Sequence, residues 1–168
     1  MTDNTYLSAL RRCEEAFDFL ATELGFARRQ ARADRSGFEL VYAGPTTGVT
    51  VSQHTRDPFT VQVCRLQDGE FPPPPRQNTP DEPINCFDLV DIEILTETEI
   101  PVAAVDLYTL PSDEVIHRYA DSLRRNAADL LRGDFTRWPE LTKRSNERTR
   151  DYMIQWLGAE RAKEEGWE

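Results

Sequence analysis

The chain has 168 residues, enough for one domain that buries about 70% of its unfolded surface, and a second independent core is not expected. Thirty acids against 20 lysines and arginines give a formal net charge of -10; from Asp68 to Glu114 twelve acids face the single base Arg76, so the remainder is about neutral. Such a segment repels phosphate backbones and anionic membranes and attracts basic surfaces, which disfavours direct nucleic-acid binding through it, and no apolar run reaches the roughly 18 residues that span a bilayer.

The start, Met1-Thr-Asp-Asn-Thr-Tyr6, lacks the basic and then apolar regions of a signal peptide, so a cytoplasmic location is expected. Cys13, Cys64 and Cys86 are odd in number and widely spaced, which argues against disulfides, and His54 and His117 do not form a zinc-ligand pair. No metal or cofactor is expected.

Tyr6 to Leu24 reads as one helix. Tyr6, Leu10, Cys13, Phe17, Leu20, Ala21 and Leu24 share a stripe, Gly25 suits the left-handed cap, and Phe26 can pack back on Leu20 or Ala21. Cys13 is then a small core residue, while Phe19 lies off the stripe, an exposed ring that is more often incidental than a partner contact. Ala27 to Ser36 reads as a polar edge strand whose arginines, Arg28, Arg29, Arg32 and Arg35, protect the edge or pair with the acidic segment.

Gly37 to Leu66 is an antiparallel meander. Strands are expected at 37–43, 49–55 and 59–66, because Phe38, Leu40 and Tyr42, Val49 and Val51, and Phe59, Val61 and Val63 recur with period two. Gly44 to Gly48 supplies a hairpin loop, and Arg56-Asp57-Pro58 suits a type I turn with Asp first and Pro second. One apolar sheet face then needs flanking helices as its cover, which gives an α+β fold: an antiparallel meander packed by an N-terminal helix and C-terminal helices.

Residues 67–83 form a proline-rich surface loop, opened by a turn at Asp68-Gly69 and held extended by Pro72 to Pro75, Pro80 and Pro83. Leu89 to Leu95 alternates partly as a strand, with a helical alternative joining Phe87, Val90, Ile94 and Leu95; Val102 to Tyr108 could add a further strand. Under either reading Asp88, Asp91, Glu93, Glu97 and Glu99 are expected to be largely exposed, since an unpaired buried carboxylate is costly, and they form the candidate partner-binding site.

Ser112 to Arg132 reads as a helix capped by Ser112 and closed by Gly133, with pairs Glu114 to Arg118 and Asp121 to Arg125, and with His117 salt-paired between Asp113 and Asp121. A last helix starts near Pro139, aligning Leu141, Ser145, Arg148, Tyr152 and Trp156; Arg148 runs along the core or pairs there, and Trp138 and Trp156 are expected at core edges. After Gly158 the charged tail is expected to fray.

No phosphate-binding glycine loop, Gly-x-Ser-x-Gly elbow, His-Glu-x-x-His pair or Cys-x-x-Cys occurs. The arrangement Phe17-Asp-Phe-Leu-Ala-Thr-Glu-Leu-Gly-Phe26, then the meander, then Tyr119-Ala-Asp-Ser-Leu123 and Asp129-Leu-Leu-Arg-Gly-Asp-Phe135, resembles small uncharacterised bacterial proteins similar to polymorphic-toxin immunity proteins. That resemblance implies a cytoplasmic α+β protein that blocks a toxin by binding, and it carries over no catalytic residue. The sequence therefore points to a non-enzymatic acidic protein whose partner is a basic protein such as a toxin. The rivals are a dimerising, secretion-chaperone-like acidic adaptor and an enzyme whose polar cleft converges on His117 or Arg148. Beneath them lies the option that the acids only solvate the chain or neutralise its own arginines.

Overall fold

The computed structural model describes residues 5–73, 83–96 and 109–167. Its centre is a five-stranded antiparallel sheet in sequential order, β1 (Ala27–Asp34), β2 (Gly37–Ala43), β3 (Thr47–His54), β4 (Thr60–Arg65) and β5 (Cys86–Asp88). The period-two pattern builds rows across one face: Leu40 lies opposite Val51 and Val51 opposite Val61, while Tyr42, Val49, Val63 and Phe87 form the next row. All of these are buried. The other face carries Glu39, Val41, Thr50, Ser52, Thr60 and Gln62, each half-buried, the division expected of an antiparallel sheet with one wet side.

The apolar face is covered by helices, and the α+β class read from the sequence holds. α1 (Thr5–Phe17) buries Ala9, Leu10, Cys13 and Phe17, and α4 (Asp113–Asn126) buries Ile116, Tyr119 and Leu123. Phe59 meets the Tyr119 ring edge-on at 4.9 Å. Ser112 caps α4, its hydroxyl accepting from the Val115 N–H at 3.4 Å.

Several local expectations change. The first helix breaks at Asp18 and resumes as α2 (Phe19–Thr22), which turns Phe19 into the core under the Arg124 guanidinium, 4.0 Å above its ring, and leaves Leu24 exposed. Phe19 is therefore not a partner contact. The Gly25 cap is present at φ 71, with Phe26 buried and its N–H donating to the Leu20 carbonyl. The turn after β3 closes at His54 to Asp57, with Arg56 at φ 75, because the β2–β3 ladder ends on the pair Gly37 and His54. The helix expected over Ser112 to Arg132 is interrupted at Ala127 and completed by α5 (Ala128–Leu131). Asp68-Gly69 turns as expected, with both residues at positive φ.

Leu89–Leu95 is a helix, α3, and not a strand. Its buried stripe is Leu89, Ile92, Glu93 and Leu95 rather than the Val90 and Ile94 of the helical alternative; Ile94 is exposed. The strand expected at Val102 to Tyr108 lies outside the described residues.

The chain divides into two compact units. The first, Met1–Pro72 with Asn85–Asp134, holds the sheet and α1 to α5. The second, Pro73–Ile84 with Phe135–Glu168, holds α6 (Trp138–Leu157) and α7 (Ala159–Glu164). Within this second unit Trp138 is buried, donates from Nε1 to the Ile84 carbonyl at 3.0 Å and meets the Phe135 ring edge-on. The tail forms a short helix instead of fraying: Gly158 at φ 84 ends α6, and after α7 Trp167 is buried with its N–H on the Ala162 carbonyl. Trp156 is not a core edge, for it is 69% exposed, and Tyr152 is 62% exposed.

Candidate functional site

The sheet register delivers the first acidic residue. β5 is only three residues long and pairs Cys86 with Cys64, Phe87 with Val63 and Asp88 with Gln62. Cys64 and Cys86 are disulfide-bonded across this ladder, with Cα atoms 4.0 Å apart. The expectation of no disulfide fails because 22 residues of sequence separation say nothing about strand register, and with it falls the support that the cysteines lent to a cytoplasmic location. The bond staples the start of the three-residue edge strand that leads into α3.

Asp88 occupies the N-cap position of α3 in extended conformation, yet its side chain makes no cap hydrogen bond. It is half-buried: Gln62 bonds the carboxylate, while Oδ1 is buried without a hydrogen-bond partner. Burial pushes its pKa above the usual carboxylate range, the Gln62 bond opposes this, and the charge of Asp91 adds to the rise. Asp91, in the first turn of α3, is partly exposed and near the positive helix end.

Glu93 contradicts the expectation of exposure. It is 1% exposed and lies against α4, where Ser122 Oγ donates to its Oε1 and Asn126 Nδ2 donates to Oε1 at 3.4 Å and to Ser122 Oγ at 2.9 Å. The general cost of burying a carboxylate is met here by donors from the next helix. Ser122 and Asn126, four apart, sit on the buried side of α4 beside Tyr119 and Leu123. Two polar residues at stripe positions were the available sequence signal. The Tyr119 phenol is pushed up to about 12, first by burial and then by the charges of Glu93 and Asp88. Glu93 thus ties α3 to α4 and is not a surface contact. Glu97 and Glu99 lie outside the described residues.

The rest of the charge is distributed across the sheet. At one edge, β1 exposes Arg28, Arg29 and Arg32, with Arg35 in the following turn. Arg28 pairs with Glu14 of α1 at 2.6 Å, while among the described residues Arg29, Arg32 and Arg35 make no ion pair. At the other side lie Asp88 and Asp91, with Asp68 and Glu70 exposed in the turn after β4. Some acids of the segment do serve the chain's own arginines. Asp113 pairs with Arg12 at 2.9 Å and Glu114 with Arg118 at 3.1 Å. Asp113 is thereby taken from His117, which is exposed without an ion pair, and Arg125 donates to the Asp121 carbonyl rather than its carboxylate.

Among the described residues no three His, Cys, Asp or Glu side chains gather as a metal site. A groove of about 580 Å³ in the second unit is lined by Lys143, Asn146, Glu147, Arg150 and Trp167 among others, and neither His117 nor Arg148 borders it. Compared with protein-family models, curated proteins and solved structures, the chain matches none of them.

Proposed function

We propose that this chain is a non-enzymatic binding protein that docks a basic protein on the acidic side of its sheet, in the manner of an immunity protein that occludes a toxin. One observation carries the reading. Arg28, Arg29 and Arg32 are exposed on β1 at one edge of the sheet, while at the other edge Asp88 closes β5 and Asp91 follows in α3, with Asp68 and Glu70 beyond the far end of β4, where Arg65 is also exposed. Such polarity orients an incoming basic surface and speeds encounter at low salt. Asp91 is the half-exposed carboxylate of α3's first turn, Asp88 lies at the N-cap of that helix, and Glu93 holds it against α4. Glu97 and Glu99 remain part of the proposed contact by sequence.

The test is affinity capture of a co-expressed basic candidate, with salt elution. Wild type is expected to retain the partner, and a variant with Asp91, Glu97 and Glu99 changed to Ala is expected to lose it. Equal retention by that variant would remove the acidic side from the reading. A dimerising acidic adaptor is the second reading, favoured by the exposed rings of Tyr152 and Trp156. A captured partner that is exported rather than toxic would select it. The cytoplasmic location belongs to both readings and is checked by cell fractionation; the coarser fact is that no helix among the described residues is long and apolar enough to cross a membrane.

A further inference from the structure

α6 is a 20-residue helix whose buried residues, Trp138 and Leu141, both lie in its first turns. At 100° per residue their stripe runs on through Ser145 and Thr149 to Tyr152 and Trp156. There the same stripe changes environment: Tyr152 is 62% and Trp156 69% exposed, one turn apart on one face. Scattered single exposed apolar residues are ordinary, whereas two adjacent large rings continuing a buried stripe form a patch, and Trp and Tyr are the residue types that dominate protein contacts.

We infer that this face docks a second copy of the chain, two α6 helices packing antiparallel about a two-fold axis between Tyr152 and Trp156. The pattern is self-complementary in that orientation. The two rings are four residues apart, about 6 Å along the helix, so reversing one helix about the midpoint sets Tyr152 of each copy against Trp156 of the other. Two aromatic pairs form at once, in place of four solvated rings. The half-buried Ser145 and Thr149 keep the flank small enough for close approach.

Charge also favours a second copy at this place. Two chains of net charge -10 repel each other over most of their surfaces, but α6 carries Lys143, Arg144, Arg148 and Arg150 against Glu140, Glu147 and Asp151, a net of +1. It is a stretch where like copies meet without mutual repulsion. The two rings expose together on the order of 300 Å² per copy. With flanking positions the pair buries on the order of 1,000 Å², the size of a weak, concentration-dependent contact rather than an obligate one. The contact uses none of Asp68, Glu70, Asp88 or Asp91, so its failure and that of the proposed docking are distinguishable; a dimer formed this way adds weight to the adaptor reading.

Sedimentation equilibrium of the full chain across a wide concentration range tests this. The mean mass is expected to rise toward twice the monomer mass, and Trp156→Ala or Tyr152→Ala, each removing both ring pairs, is expected to weaken association about a hundredfold. Circular dichroism should show both variants folded, since both side chains are exposed. Mixing the two variants is the decisive arm. The mixed dimer regains one Tyr152–Trp156 pair and is expected to associate more tightly than either variant alone. A chain that stays monomeric at every concentration would overturn the inference. So would association indifferent to both substitutions, or a mixture no tighter than its components, since each result assigns the face to another occupant or another geometry.

Discussion

Changing Glu93 to Ala separates a structural carboxylate from a binding one. The substitution leaves Ser122 Oγ and the Asn126 amide without their shared acceptor at a position 1% exposed, a cost of about 1–3 kcal/mol for buried polar groups left unmade. Losing the one buried methylene of its stem, Cγ, adds about 0.8 kcal/mol. Relief from burying a charge offsets part of this, so a net loss of about 2 kcal/mol is expected. With a urea slope of about 2 kcal/mol per molar, the unfolding midpoint falls by about 1 M. The assay is equilibrium urea unfolding followed by far-ultraviolet circular dichroism. A double-mutant cycle of Glu93→Gln with Ser122→Ala should return a coupling of about 1–2 kcal/mol, as expected for groups sharing one buried network. A Glu93→Ala midpoint within about 0.2 M of wild type, or a coupling near zero, would refute the account of α3 pinned to α4 and return Glu93 to the surface.

Three further outcomes follow from the same geometry. Asp88 titrates above the usual carboxylate range because it is buried, so its protonation favours the folded state: the stabilisation is full below the ordinary carboxylate pKa and is lost as pH rises through the raised folded value. Asp88→Asn should therefore raise the melting temperature at neutral pH, with the gain over wild type shrinking toward acid; a gain that grows on acidification would contradict the sign. Removing the Cys64–Cys86 bond by reduction or by Cys86→Ala frees a 22-residue separation and should cost roughly 3 kcal/mol in chemical unfolding; three free thiols counted in the unreduced chain would show that the bond does not form. Cys13 is buried and its thiol is pushed up to about 12 by that burial, so iodoacetamide should label it only at the rate of global opening, and fast labelling of the native chain would refute its core position.

The sheet was legible because its period is strict: Phe38, Leu40 and Tyr42 can face one way only, and a slip by one residue would expose all three. The capped start of α4 at Ser112 and the buried Cys13 followed from equally local rules. What failed depended on contacts between distant segments. Partial alternation at Leu89 to Leu95 could not choose strand over helix, because Glu93 on the buried side was unreadable without Ser122 and Asn126 some thirty positions later. The disulfide was invisible for the same reason, since only the β4–β5 register places Cys86 opposite Cys64. Phe19 was misread because a single break at Asp18 rotates everything after it. On α6 the stripe was legible only at its start, where Trp138 and Leu141 are buried, while Arg148, Tyr152 and Trp156 further along it are exposed: periodicity shows which residues share a face, and what covers that face is decided by the rest of the fold.

The acidic side of the sheet as a docking surface is tested most directly by the salt dependence of affinity for the captured basic partner. Wild type would be compared with Asp91→Lys and with a β1-edge control in which Arg29 and Arg32 are changed to Glu. The account predicts that affinity falls steeply with salt for wild type, drops about tenfold in Asp91→Lys with a shallower salt slope, and is unchanged or higher in the β1 control. Equal affinity for wild type and Asp91→Lys, with loss in the β1 control instead, would contradict it and move the partner to the basic edge.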